Sequence, residues 1–183
     1  MALQFLDTPD SLDAACVLPP AAPSRVEYSD EYLLGILSTT RTIAMSGASP
    51  DWNRPSYFAM RYLLRKGYKV IPVNPKAAGG EILGQRAYAS LKEIPEKVDV
   101  VDIFRRADAV PGVVDEAIAM GAKVVWMQLG IVNEAAAKTA RDAGLKVVMD
   151  RCMKIEYGRL SGELAWCGVN SGLISSRRRK LIG

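Results

Sequence analysis

The chain has 183 residues, of which 49% are hydrophobic and 24% charged, and its formal net charge at pH 7 is +4. These values are ordinary for one globular domain, and the mild charge, part of which lies in a basic run at 177–180, does not indicate nucleic-acid binding. Because the sequence contains no histidine, serine–histidine triads, histidine-containing zinc motifs and phosphohistidine chemistry are excluded.

The two ends of the chain carry little readable chemistry. We expect residues 1–28, rich in proline and alanine, to form an N-terminal arm, and 156–183 to form a C-terminal extension with a basic tail. Acidic residues near the N-terminus and the lack of a long apolar run argue against a leader or a membrane contact. Three cysteines fit a reducing compartment better than a disulfide framework, so a cytoplasmic location is expected.

Between these ends, residues 29–155 alternate helical and strand patterns. The pattern predicts, in chain order, a helix capped by Ser29 or Asp30, strand 42–45, a helix from Pro55 to Gly67, strand 69–75, a loop at 76–89, a short helix at 90–94 with a Ser90–Glu93 capping box, strand 98–104, helix 107–120, strand 123–127, helix 133–143, strand 146–149 and helical residues from 154 to 166. Regular alternation predicts an α/β, Rossmann-like three-layer sandwich: a five-stranded parallel sheet with helices on both faces.

The first predicted strand leads into a turn of small residues, Ser46-Gly47-Ala48-Ser49, and the next helix has Pro55 at its first position. Such a turn exposes backbone N–H groups, and the helix dipole points into it, which favours an anion. The usual G-x-G-x-x-G fingerprint of dinucleotide-binding proteins is absent. Taken alone, the turn therefore leaves a phosphate site and a plain structural turn equally open.

At the end of the second predicted strand stands Asn74, followed by Pro75 and Lys76. A NAD-binding fold would place an acidic residue here to hold the ribose hydroxyl groups. An amide with a nearby cation instead tolerates a phosphate on the ribose, although a simple Asn-Pro turn remains an alternative.

Polar or small residues follow each of the other strands as well. The five sets are 46–49, 74–76, 104–106, 128–130 and 150–152. Since ligands of open parallel sheets lie outside the carboxyl ends of the strands, we expect these sets to converge on one site. Phe104 with Arg105 and Arg106 offers an aromatic ring and two guanidinium groups, which suit an adenine ring and phosphates.

Six motifs within residues 40–155 carry a resemblance to a known family. They are Ser-Gly-Ala-Ser-Pro (46–50), Arg-Pro-Ser-Tyr (54–57), Val-Ile-Pro-Val-Asn-Pro (70–75), Val-Asp-Ile-Phe-Arg-Arg (101–106), Val-Trp-Met-Gln-Leu-Gly (125–130) and Met-Asp-Arg-Cys (149–152). The chain resembles the small stand-alone CoA-binding proteins, whose domain is similar to the CoA-binding Rossmann domain of the succinyl-CoA synthetase alpha subunit.

The resemblance implies that CoA, free or acylated, lies across the edge of the sheet and assigns roles to particular residues. Gly47 to Ser49 would hold the pyrophosphate, and Arg54, Ser56 and Tyr57 would close over it. Asn74 and Lys76 would lie near the 3′-phosphate, Phe104 and Arg106 near the adenine, and Gln128 to Gly130 along the pantetheine arm. The complete set of expected cofactor-binding residues is Ser46, Gly47, Ala48, Ser49, Arg54, Ser56, Tyr57, Asn74, Pro75, Lys76, Phe104, Arg105, Arg106, Gln128, Leu129, Gly130, Arg151 and Cys152.

The full synthetases carry an active-site histidine and further domains, which this chain lacks. The expected function is therefore CoA or acyl-CoA binding without evident catalytic machinery; no catalytic or metal-binding residue is assigned, and a homodimer is left open. The alternatives are a small NAD(P)-dependent oxidoreductase and a nucleotide-binding redox sensor. One further hypothesis is that Arg151 lowers the pKa of Cys152, which would then form a mixed disulfide with CoA; a half-buried structural cysteine is the simpler interpretation.

Overall fold

A computed structural model describes residues 26–163 and Leu181. Residues 1–25, which make up most of the predicted N-terminal arm, and the basic tail at 177–180 lie outside the described residues. The elements are α1 (Asp30–Thr39), β1 (Thr42–Ser46), α2 (Pro55–Arg65), β2 (Lys69–Val73), β3 (Glu81–Ile82), β4 (Gln85–Arg86), β5 (Val100–Ile103), α3 (Val110–Ala119), β6 (Val124–Met127), α4 (Glu134–Asp142), β7 (Lys146–Val148) and α5 (Met153–Leu160).

Five strands form one parallel sheet in the order β2-β1-β5-β6-β7. Their residues are apolar and buried along nearly their whole length, as expected for a sheet covered on both faces. One core cluster joins this sheet to α1, α2 and α5, and a second joins its other face to α3 and α4. The predicted three-layer fold with a five-stranded parallel sheet is confirmed.

Local signals in the sequence explain where three helices begin. The Ser29 hydroxyl accepts from the N–H of Tyr32 at α1, and the Asn133 side chain accepts from the N–H of Ala136 at α4. Pro55 occupies the first turn of α2, where its missing N–H costs no helical hydrogen bond. None of the described helices is long and apolar enough to span a membrane.

Several predicted boundaries are wrong. The predicted loop 76–89 contains a turn of 3₁₀ helix at Pro75–Ala77 and the small antiparallel hairpin β3–β4. The predicted helix 90–94 is a single 3₁₀ turn at Leu91–Glu93, because the Ser90 side chain makes no capping bond and Glu93 accepts from Ala89 instead. The predicted helix 107–120 opens with a 3₁₀ turn at Ala107–Ala109 before α3 starts.

Candidate functional site

The carboxyl ends of all five parallel strands lie at one edge of the sheet, so the five polar sets expected from the sequence share this edge. The chain leaves β1 toward β2 on one side and later returns to β5 on the other. The order of strands therefore reverses direction between β1 and β5, and ligands of such sheets bind at this switch point. Its floor is formed by the residues that follow β1 and β5.

The turn after β1 packs directly on the end of β5. Gly47 has φ +87°, a left-handed conformation that favours glycine, and a Cβ atom placed there would lie 2.6 Å from the carbonyl oxygen of Phe104. The N–H of Gly47 donates to Val73 at 2.9 Å, and the N–H of Phe104 donates to Ser46 at 2.8 Å. The turn is thus fixed to both neighbouring strands. Because Gly47 has no Cβ atom, the turn can pack closely against Phe104 at the end of β5.

The start of α2 stabilises the same turn. The buried Ser56 hydroxyl accepts from the N–H of Ser49 at 3.1 Å, which ties the turn to the N-terminus of the helix. Arg54 projects into solvent, with its side chain 69% exposed and 3.8 Å from Asp51. Tyr57 is half-buried, and the guanidinium group of Arg61 lies 6.0 Å from its ring centroid. The positive end of the α2 dipole therefore faces the turn, and the exposed guanidinium group of Arg54 lies just before the helix.

The side chain of Asn74 makes two hydrogen bonds within the protein. Its side-chain amide donates to the carbonyl oxygen of Ala48 at 2.7 Å, and its side-chain oxygen accepts from the N–H of Lys76 at 2.9 Å. The amide thus links the end of β2 to the β1–α2 turn. Pro75 and Lys76 are exposed beside it, so Lys76 is the group at this strand end that can meet a ligand phosphate.

The residues after β5 divide into two groups. Phe104 is half-buried, and the side chain of Arg105 comes within 3.0 Å of a Cβ placed on Gly47, so both lie at the switch point. The side chain of Arg106 is 89% exposed and 3.4 Å from Asp108. The Arg105 side chain therefore packs beside the turn through its Cδ atom, whereas Arg106 pairs with Asp108.

A cavity of about 480 Å³ opens between the start of α2, the ends of β5 and β6, and the start of α5. It brings together four of the expected residues, Phe104, Gln128, Leu129 and Cys152. The complete wall is formed by Asn53, Pro55, Phe58, Ala59, Phe104, Gln128, Leu129, Ile131, Cys152, Lys154 and Ile155. Its apolar walls and few polar groups are typical of small-molecule sites.

Arg151 and Gly130 do not line this cavity. The guanidinium group of Arg151 donates to the carbonyl oxygens of Val26 at 2.7 Å and Asp150 at 3.0 Å and lies 5.7 Å from the ring centroid of Tyr28. The N–H of Gly130 donates to the Asp150 carboxylate at 2.8 Å. Both residues hold loops together in the described structure.

The expectation that Arg151 lowers the pKa of Cys152 is wrong. Burial raises the pKa of the Cys152 thiol, and the negative charge of Asp102 raises it further, while backbone N–H groups at the start of α5 only partly offset these effects. Arg151 is committed to the N-terminal segment and to Glu156, which lies 3.7 Å away. The thiol is therefore protonated at neutral pH and is a weak nucleophile.

Asp102 is a site residue that the sequence reasoning missed. It lies in β5 next to the switch point, is completely buried, and accepts from the Gln128 side chain at 2.8 Å through Oδ1, whereas Oδ2 finds no partner among the described residues. Burial raises its pKa to about 7, with the Gln128 hydrogen bond opposing the shift. The sequence did contain a signal for this residue. Burying an isolated carboxyl group in an apolar strand costs free energy unless the group has a partner.

Comparisons with known proteins show the family to which the chain belongs. The family model described as "CoA binding domain" matches residues 41–158. The uncharacterized protein YneT of Bacillus subtilis (strain 168) is 38% identical over 135 residues, which span 74% of this chain and 95% of YneT. A solved structure of a hypothetical protein from Pyrococcus horikoshii OT3 superposes with a TM-score of 0.72 at 42% identity, covering 76% of this chain and 97% of the other.

A larger relative shares only this domain. The alpha subunit of an ADP-forming acetate–CoA ligase I from Pyrococcus furiosus is 32% identical over 138 residues, which are 68% of this chain but 30% of the ligase subunit. The chain therefore corresponds to under a third of that subunit and to nearly all of YneT. The family match covers all five strands of the parallel sheet and the cavity at their carboxyl ends: this chain belongs to the CoA binding domain family.

Proposed function

We propose that the protein binds CoA or an acyl-CoA at the carboxyl edge of the sheet, with the pyrophosphate in the β1–α2 turn. The observation that carries the proposal is the packing of Gly47 against Phe104, which brings the turn and the N-terminus of α2 to the switch point. The positive end of a helix dipole at such a point favours a phosphate. Membership of the CoA binding domain family supports CoA as the phosphate-bearing ligand.

The cations around the turn suit a ligand with several phosphates. Arg54 and Lys76 are exposed at its two sides, and Arg105 lies beside Gly47. Lys76 is the candidate for the 3′-phosphate, while Asn74 supports it indirectly by holding the turn. The pantetheine arm then follows Phe104 and enters the cavity beside Gln128.

An NAD(P)-dependent reaction has less support. No acidic residue follows β2 to hold the ribose hydroxyl groups, and Asn74 uses its side chain within the protein. A mixed disulfide of Cys152 with CoA is also disfavoured, because the protonated thiol reacts slowly with disulfides. Binding is therefore the proposed function, and the homodimer and the cytoplasmic location stay predictions.

A panel of ligands tests the proposal by thermal shift. CoA should stabilise the protein by about 2.7 kcal/mol at a hundredfold excess over its dissociation constant. Dephospho-CoA should bind more weakly, and NAD should produce no shift. The Lys76→Ala variant should lose roughly fivefold in affinity for CoA, the scale of one exposed ion pair, and little for dephospho-CoA.

Lys92→Ala is the matched control, since Lys92 is an exposed lysine on a turn outside the proposed site. It should bind CoA and dephospho-CoA as the natural sequence does. A shift with NADP but none with CoA would contradict the proposal and support the oxidoreductase instead.

A further inference from the structure

The exposed apolar surface of the described chain is concentrated around one cavity. Five large apolar side chains are exposed within the described residues: Trp52, Phe58, Leu129, Val132 and Ile155. Three of them line the 480 Å³ cavity, and the other two each adjoin a lining residue in sequence. Exposed apolar surface gathered at the mouth of a cavity marks a place where an apolar group binds.

The cavity and the proposed phosphate site share helix α2. Pro55, Phe58 and Ala59 line it, and they belong to the same helix α2 whose N-terminus faces the β1–α2 turn. One ligand can therefore place anionic groups at the turn and an apolar group between α2 and α5. A CoA thioester has this distribution of charge, whereas free CoA ends in a small thiol.

Gln128 is a buried polar group in the wall of the cavity. Gln128 is only 5% exposed, and its side-chain amide donates one N–H to Asp102. Because a carboxyl oxygen can accept this bond, the amide nitrogen of Gln128 is held toward Asp102, and this nitrogen has a second N–H to donate. A carbonyl oxygen is the group that such a donor recognises.

The apolar walls of the cavity do not favour an acidic acyl group. Lys154 is the one charged side chain among the lining residues and is half-buried, and Asp102, which binds Gln128, is not among them. A carboxylate entering the cavity would lose its water. A neutral chain does not have this cost.

From these observations we infer that the cavity binds the acyl group of a CoA thioester, that the acyl group is neutral and apolar, and that Gln128, positioned by Asp102, meets the thioester carbonyl. This inference rests on the proposed function, because the CoA part of the ligand anchors the acyl group. Phe58, Leu129 and Ile155 are the side chains that the acyl chain would cover.

Isothermal titration with a thioester series tests the inference. Acetyl-, butyryl- and hexanoyl-CoA should bind progressively tighter, by roughly fourfold for each added methylene group that is buried. Succinyl-CoA, which has a terminal carboxylate, should bind at least roughly tenfold more weakly than butyryl-CoA. Free CoA is the reference for the anchoring part of the ligand.

Two variants locate the acyl chain. Ile155→Ser introduces a polar group at the cavity mouth and should reduce the gain from acetyl to butyryl from roughly fifteenfold to roughly fourfold. Val132→Ser is the matched control, because Val132 is similarly exposed at 45% but does not line the cavity. In the Val132→Ser variant, the affinity should increase with acyl chain length as it does in the natural sequence.

Each other outcome contradicts the inference. Equal affinities along the series, with free CoA binding normally, would overturn it and leave the proposed function intact, whereas no binding of CoA or any thioester would overturn both. Succinyl-CoA binding tighter than butyryl-CoA would assign the cavity to acidic acyl groups through Lys154. A flat series together with a dimer that Ile155→Ser dissociates in light scattering would assign the apolar surface to a second copy of the chain.

Discussion

Replacing Gly47 with alanine is expected to lower the free energy of unfolding by about 2–5 kcal/mol. The new Cβ would lie 2.6 Å from the carbonyl oxygen and 2.9 Å from the carbonyl carbon of Phe104, and both are backbone atoms at the end of β5. Relief of the clash requires β1 and β5 to separate at the switch point, which strains the Phe104–Ser46 hydrogen bond. Urea unfolding followed by circular dichroism measures the loss.

Gly79→Ala separates the clash from the backbone strain. Gly79 has φ +81°, nearly the same conformation as Gly47, but a Cβ placed there meets nothing within 4 Å. This control should lose only the left-handed penalty of about 1–2 kcal/mol. Equal losses for the two variants would show that the turn does not depend on close contact with β5.

Replacing Asp102 with asparagine is expected to remove a strong pH dependence of stability. The pKa of Asp102 is about 7 in the folded protein, against an ordinary value of 3.8. The folded state therefore holds a proton that the unfolded state has lost, so stability is fully present at low pH and falls as pH rises through 7. Between about pH 5 and about pH 8, the free energy of unfolding of the wild type should fall by about 2–3 kcal/mol relative to that of Asp102→Asn.

Asp99→Asn provides a control, because Asp99 should give a pH dependence of stability of the opposite sign. Asp99 lies just before the first residue of β5. Burial raises the pKa of Asp99, but hydrogen bonds from Lys123, Thr42 and Arg41 outweigh this and hold its pKa below the ordinary value. The carboxylate therefore stabilises the fold above its ordinary pKa, and that contribution is lost as the pH falls through the lowered value. Urea unfolding across the pH range distinguishes the two; identical pH profiles for wild type and Asp102→Asn would refute the assignment to Asp102.

The sheet was predictable because its signals are local. Short apolar runs that end at a turn or a glycine, such as Val70–Val73 before the 74–76 turn and Val124–Met127 before Gly130, are typical of buried strands. Helix starts at Ser29 and Asn133 follow from side chains that accept nearby N–H groups. The parallel arrangement of the five strands followed from the regular alternation of strands and helices, whereas their order in the sheet comes from the structure.

The failures came from competition between distant groups. Ser90 and Glu93 have capping-box spacing, yet the N–H of Leu91 is taken by Glu116 of α3 and Glu93 binds Ala89, so no α-helix starts there. Arg151 stands beside Cys152 in sequence, but its guanidinium group is held by Val26 and Glu156, far along the chain. Spacing alone cannot show which partner a long side chain selects.

The sequence predicted the location of the candidate site more accurately than the contacts that its residues make. Gly47, Phe104 and Gln128 were expected at one edge of the sheet, and the structure places all three there. The burial of Asp102 and the gathering of Phe58 and Ile155 around the cavity depend on how α2 and α5 pack on the sheet. That packing has no signature in a single stretch of sequence.

A crystal structure of the protein grown with CoA tests the central claim most directly. We expect electron density for the pyrophosphate at Gly47–Ser49 and the N-terminus of α2, with the pantetheine arm entering the cavity beside Phe104 and Gln128. A second cavity of about 420 Å³ lies at the opposite edge of the sheet, next to Thr40, Lys123 and Gly144. CoA bound there, with the β1–α2 turn empty, would contradict the account.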